Sequence, residues 1–247
     1  MRLLIWSPEI SHGGAKFLIS LIKALSQQEE ICEIKVVVSP HSRFKDREQE
    51  LTSSKIRVIY SSDDISSEIG KHCVSQSDVV YFNWPHGRNS IPINKPTVCT
   101  FQDTIMLDLS HLFISTGYQT QKSIGAYKEM SRQWLRNTTC TVVSSNYVKT
   151  RIVNYFDNDI SSIFVIPHAI LPENTTRDNQ IVMKRSLPDK YIVCATNLSP
   201  HKNIMNLLLA YCEWEQRLDI PLVIYGHQTE VYEGFTGDQY LKQQVDV

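Results

Sequence analysis

Short apolar, β-branched runs alternate with segments whose apolar residues recur at helical spacing, and this alternation holds along nearly the whole chain. Leu3 to Trp6 reads as a first strand. After Ser11-His12-Gly13-Gly14 comes a helix from about Ala15 to Gln27, with Phe17, Leu18, Leu21, Ile22 and Leu25 on one face. Lys35–Val38 and Ile56–Tyr60 read as strands, the polar stretch Ser61–Gln76 as a helix, and Asp78–Phe82 and Pro96–Phe101 as two more strands. Gln121–Arg136 is helical, Thr139–Val143 extended. Ser144-Ser145 can cap a helix to Phe156, because a serine hydroxyl accepts from the free N–H groups of a first turn. Ile163–Ile166 closes this part. Strands alternating with helices in this way imply a parallel sheet covered by helices on both faces.

The polar stretch 171–188 holds two prolines and reads as a linker. A second α/β unit follows: strand Tyr191–Ala195, helix Asn203–Arg217, strand Pro221–Tyr225, then a polar loop and a short helical tail. The expected organisation is a Rossmann-like domain over 1–170, a linker over 171–188, and a partial second domain over 189–247. Two strands and one helix cannot cover both faces of a sheet, so the second domain is expected to be cut short, completed by another chain, or packed closely on the first.

Composition narrows the function classes. The 247 residues are 42% hydrophobic and 21% charged, an ordinary globular mixture. A net charge of −1 gives no field to draw in nucleic acid. The first apolar run is too short for a signal peptide or a membrane span. Six scattered cysteines without a C-x-x-C pair read as reduced core thiols of a cytoplasmic protein. The sequons at Asn137 and Asn174 are taken as chance matches. Lys128, Arg132 and Arg136 form a basic helical stripe, either a solvated face or a peripheral contact with the inner face of a membrane.

Four places can carry chemistry. Gly13-Gly14 stands between the first strand and first helix, where free N–H groups and the helix dipole favour phosphate; a tight turn is the alternative. Lys202, in Ser199-Pro200-His201-Lys202-Asn203, opens the helix of the second unit and can reach a diphosphate, or else is solvated beside a cap. Gln102-Asp103 ends a strand, the position where open α/β sheets bind ligands, although Asp103 can equally cap the next segment. Trp84 and His86 follow the neighbouring strand and suit a sugar, whose ring face stacks while its hydroxyls hydrogen-bond; a buried Trp and a surface His would look the same.

Taken in order, these segments resemble family 4 of the glycosyltransferases, which has the GT-B fold. Leu3-Leu4-Ile5-Trp6-Ser7 to Gly13-Gly14-Ala15 looks like the opening strand, glycine loop and helix of that family. Phe101-Gln102-Asp103 resembles its His-Asp element, Thr141 to Lys149 its strand–helix with paired serines, and Val165-Ile166-Pro167-His168-Ala169-Ile170 the segment before its interdomain hinge. Ala195 to Asn203 looks like its donor-phosphate element, and Pro221–Gly226 like the next strand. Gln102 replaces the usual His, Asn197 an Arg, and His168-Ala169 an Asn-Gly. The family's paired glutamates come beyond the point where this sequence stops.

The resemblance implies a GT-B-like α/β protein that transfers a hexose, with retention, from a nucleotide diphosphate sugar to a glycan or lipid-linked acceptor, as in building bacterial surface polysaccharides. It implies no metal or other cofactor. Gly13, Gly14, Asn197 and Lys202 would bind the donor, with the diphosphate's developing charge held by the helix turn and the lysine. Gln102 and Asp103 would serve at the catalytic centre, and Trp84 and His86 would meet the acceptor. The competing expectation is a non-catalytic remnant, or one subunit of a split transferase that a second chain completes. A dinucleotide-dependent oxidoreductase is disfavoured because G-x-G-x-x-G is missing.

Overall fold

The computed structural model describes residues 1–7, 12–83, 90–156, 162–169, 189–197, 199–214 and 219–226. The expected linker 171–188 and the tail after Gly226 lie outside them. The chain divides into two compact units, one of Met1–Leu107 with Lys122–Leu171, the other of Asp108–Gln121 with Pro172–Val247.

In the first unit the elements run β1 (Arg2–Trp6), α1 (His12–Ser26), β2 (Glu33–Val38), a 3-10 helix (Arg43–Glu50), β3 (Ile56–Tyr60), α2 (Glu68–Ser75), β4 (Val79–Asn83) and β5 (Thr97–Phe101). α3 (Ile105–Asp108) follows, then, after α4 (Ser110–Ser115) of the second unit, α5 (Gln121–Asn137), β6 (Cys140–Val143), α6 (Asn146–Phe156) and β7 (Ile163–Val165). The seven strands form one parallel sheet in the order β3-β2-β1-β4-β5-β6-β7. The chain therefore winds outward from β1 in one direction, then returns to β4 and winds in the other.

Neighbouring residues on a strand point to opposite faces, so the sheet builds two cores. Leu3, Ile5, Val36 and Tyr81 meet Leu18, Ile19 and Ile22 of α1 and Phe44 of the 3-10 helix on one face. Leu4, Trp6, Val37, Val80 and Cys99 meet Cys73 of α2 and Trp134 of α5 on the other. Trp134 packs on Phe82 with ring centroids 4.5 Å apart. These buried, near-continuous apolar strands are what a doubly covered parallel sheet requires.

Several boundaries differ from the sequence reading for identifiable reasons. α2 begins at Glu68 and not near Ser61. Ser61 Oγ accepts from Asp63 N (3.1 Å) and Asp64 Oδ1 from Ser66 N (2.9 Å), and such local bonds hold the backbone out of a helix. Ser67 then caps it, accepting from Gly70 N at 3.1 Å. Helix α1 begins at His12, so Gly13 and Gly14 occupy its first turn and are not a loop before it. The 3-10 helix, α3 and α4 were not anticipated: the 3-10 segment RFKDREQE is almost wholly polar, and α3 and α4 are under two turns long.

The second unit holds β8 (Ile192–Ala195), a 3-10 turn (Pro200–Lys202), α7 (Ile204–Glu213) and β9 (Leu222–Tyr225), together with α4. β8 and β9 pair in parallel as a two-stranded sheet. Phe113 of α4 is buried against the rings of Tyr118 and His201, at centroid distances of 5.7 and 5.8 Å. Ile192, Val193 and Tyr225 of the small sheet are exposed. All six cysteines are free thiols, with Cys73 and Cys99 buried. Among the described residues no helix is long and apolar enough to cross a membrane.

Candidate functional site

The strand order reverses between β1 and β4, and in open α/β sheets the ligand crevice lies beyond the carboxyl ends of the strands at such a point. Three chain segments leave the sheet there: β1 through Ser7 towards the first turn of α1, β4 at Asn83, and β5 through Gln102 and Asp103. The 15 residues of α1 leave the N–H groups of the first turn, Gly13 and Gly14 included, without intrahelical acceptors, and its dipole adds partial positive charge.

Polar side chains tie the strand ends together. Ser7 Oγ donates to the carbonyl of Asn83 at 3.5 Å. Gln102 Nε2 donates to Asn83 Oδ1 at 3.5 Å, and Ser144 Oγ donates to the carbonyl of Gln102 at 3.2 Å. Ser7 and Asn83 are buried, at 2% and 4% exposure. One row earlier on the same two strands, the hydroxyls of Tyr81 and Thr100 hydrogen-bond at 2.5 Å. Residues two apart share a face of a strand, so both polar pairs lie on the face that α1 covers.

On that face, α1 and the segment after β7 line an open pocket of about 240 Å³. Its floor is Tyr81, Thr100 and Val142, and its walls include Phe17, Leu21 and Ile166-Pro167-His168-Ala169. The His168 ring packs against Phe17, with centroids 4.6 Å apart. The hydrogen-bonded floor is uncharged, and burial raises the pKa of Tyr81 far above a free phenol's, so it stays protonated.

Asp103 Oδ1 accepts from Ile105 N at 3.1 Å, capping the turn into α3. Burial, and next the Asp103 carboxylate, raise the pKa of Tyr127, and the neighbouring Ser131 lowers it; the net rise keeps this phenol protonated. Trp84 and His86 lie outside the described residues.

In the second unit, Asn197 Oδ1 accepts from Ser199 N at 3.0 Å, folding the segment after β8 into a turn. Lys202 is exposed at the end of the 3-10 turn and has no carboxylate partner among the described residues. Asn203 follows with φ 54°, ψ 33°, the left-handed region, at the start of α7.

Of the basic stripe, Lys128 lies over the ring of Tyr155 at 5.8 Å and Arg132 pairs with Glu129, while Arg136 is exposed. Ser7, Asn83 and Ser144 were not singled out from sequence as ligand-site groups. The available signal was a polar residue closing an apolar strand, as in LLIWS and VVYFN.

No protein-family model and no curated protein sequence matches the chain. Solved structures do. Anabaena Alr3699/HepE in complex with UDP-glucose matches with a TM-score of 0.56 at 14% identity, over 100% of this chain and 65% of that one. UDP-GlcNAc 2-epimerase from Neisseria meningitidis, bound to UDP-GlcNAc, matches with a TM-score of 0.56 at 13% identity, over 94% and 67%. UDP-N-acetylglucosamine 2-epimerase from Rickettsia bellii matches with a TM-score of 0.51 at 10% identity, over 98% and 67%.

The fold is GT-B-like.

The chain spans about two thirds of the length of these solved proteins. The GT-B-like architecture expected from the ordered motifs is thus present, as a seven-stranded parallel sheet flanked by helices and a smaller second sheet.

Proposed function

We propose that the chain binds a nucleotide diphosphate sugar and serves as a retaining hexosyltransferase towards a glycan or lipid-linked acceptor. The observation that carries this reading is the shared fold of this chain and proteins solved with UDP-glucose or UDP-GlcNAc. Fold alone does not specify chemistry, so the residues must supply it. The first-turn N–H groups of Gly13 and Gly14 in the first unit, and separately Lys202 in the second with Asn197 beside it in sequence, are the groups we assign to phosphate of the donor. Charge that develops on the departing diphosphate would be stabilised by these groups. Gln102 and Asp103 would contact the transferring sugar, Trp84 and His86 the acceptor.

Titration of the 247-residue chain with UDP-glucose, UDP-GlcNAc and UDP by calorimetry tests this reading. Lys202→Ala is expected to weaken binding of all three by about tenfold, the loss of one charge-assisted contact. If none of the three nucleotides binds, the proposal fails.

Two other readings have specific support. The epimerases among the matched structures favour a sugar epimerisation, which would convert UDP-GlcNAc to its C2 epimer without any acceptor. The uncharged Gln102 and Asn197 favour a chain that binds sugar or partner without turnover. Product analysis of UDP-GlcNAc incubated with and without an oligosaccharide acceptor separates the three outcomes.

A further inference from the structure

Asn83 and Gln102 are joined by a single hydrogen bond, from Gln102 Nε2 to Asn83 Oδ1. That bond fixes which end of each carboxamide is left over. Asn83 retains its Nδ2 donors and Gln102 its Oε1 acceptor, and neither has a hydrogen-bond partner among the described residues. Asn83 is 4% exposed as a residue. Ser7 anchors the Asn83 backbone from β1, and Ser144 anchors the Gln102 backbone from the start of α6. Neither amide titrates, so the donor and acceptor roles are the same at every physiological pH.

We propose that Asn83 and Gln102 together form a hydroxyl-recognition site, in which Asn83 Nδ2 donates to, and Gln102 Oε1 accepts from, hydroxyl groups of a sugar. A hydroxyl both donates and accepts, and adjacent sugar hydroxyls offer both functions side by side, which matches a fixed donor next to a fixed acceptor. An anion would leave the Gln102 oxygen repelled, and a cation would leave the Asn83 N–H groups without use. Asn83 is thereby a specificity residue that β4 places at the switch point. The site rests on the nucleotide-sugar reading only for which molecule carries the sugar.

The test uses the wild-type chain, labelled with ¹⁵N, and follows the side-chain NH₂ signals of Asn83 and Gln102. UDP-glucose, UDP and free glucose are titrated separately. The expected result is movement of both amide signals with UDP-glucose and with high concentrations of glucose, and none with UDP. Asn83→Leu, close in volume but without donor or acceptor, is expected to weaken UDP-glucose at least tenfold and leave UDP binding unchanged. Asn83→Asp keeps an acceptor for Gln102 Nε2 and replaces the donor by a negatively charged carboxylate, so equal affinity for Asn83→Asp and wild type would remove Asn83 from recognition. Backbone shifts at Gly13 and Gly14 with UDP-glucose, without shifts at Asn83, would overturn this inference and leave donor binding intact. Shifts at Asn83 with glucose, and no binding of any nucleotide, would uphold the hydroxyl site and end the nucleotide-sugar reading. Asn83 signals that stay still with all three probes overturn the inference.

Discussion

Single residues in this protein are constrained by how closely other backbone approaches them. Gly226 has φ 147°, and a Cβ there would stand 1.8 Å from the carbonyl oxygen of Thr196. That contact is with backbone of the adjacent strand end, which is itself held by the bond from Thr196 N to the carbonyl of Tyr225. Relief would require moving β8 off β9. Gly226→Ala should therefore cost about 3 kcal/mol, read as a lowered urea midpoint of the second unit.

Gln102 makes a different prediction. With an amide in place, sugar-nucleotide affinity should be flat from about pH 5.5 to pH 8 as far as this side chain is concerned. Gln102→His introduces a group that titrates near pH 6.5, so the variant's affinity should acquire an inflection around that pH. A flat profile for the variant would show that the side chain does not contact the ligand. Gln102 and Asp103 were legible as candidates because they follow a strand. Asn83 carries no local signal beside Trp84 and His86, because the bond that orients it comes from a residue 19 positions away.

At the scale of elements, local chemistry decided the ends and long-range packing decided the faces. The helical periodicity of α1, α5 and α6 was visible in sequence, and so was the serine cap of α6: Ser145 Oγ accepts from Val148 N at 3.3 Å. α2 starts later than its sequence suggests because propensity along Ser61–Ser67 is weak and side chains there bond their own backbone. Ser67→Ala removes the acceptor for Gly70 N and should destabilise the first unit by about 1 kcal/mol in denaturant titration. The cap reading is wrong if Ser67→Ala matches wild type. Phe17 and Leu21 belong to the predicted apolar face of α1, yet they line the pocket while Leu18, Ile19 and Ile22 enter the core. Periodicity marks a stripe, but which edge of it is covered depends on the neighbouring strand.

At the scale of the whole first unit, the reversal between β1 and β4 is secured at both ends of the strands. Ser7 and Asn83 join them at the carboxyl end. At the amino end, Arg2 Nη2 donates to Asp78 Oδ1 at 2.8 Å and Arg2 N to Asp78 Oδ2 at 2.7 Å. The Arg2 side-chain bond, then its backbone bond, lower the Asp78 carboxyl pKa to about 2. A carboxyl lowered in the folded state stabilises above its unfolded pKa, about 3.9, and loses that contribution as pH falls through about 2. Asp78→Asn should thus be less stable than wild type at pH 7, with the difference closing between about pH 4 and pH 2. The pair is solvent-exposed, so added salt should shrink the difference as well.

The sequence by itself determined that this is an α/β protein and where most of its strands and long helices run. Those properties are local: alternation, helical period and caps act over a few positions, and each can be read without knowing what lies beside it. Only the tertiary structure decided the strand order, the depth at which Asn83 is buried, and the pairing of its amide with Gln102. A parallel sheet brings together residues far apart in the chain through crossover connections, and no local pattern encodes which strand becomes the neighbour of which.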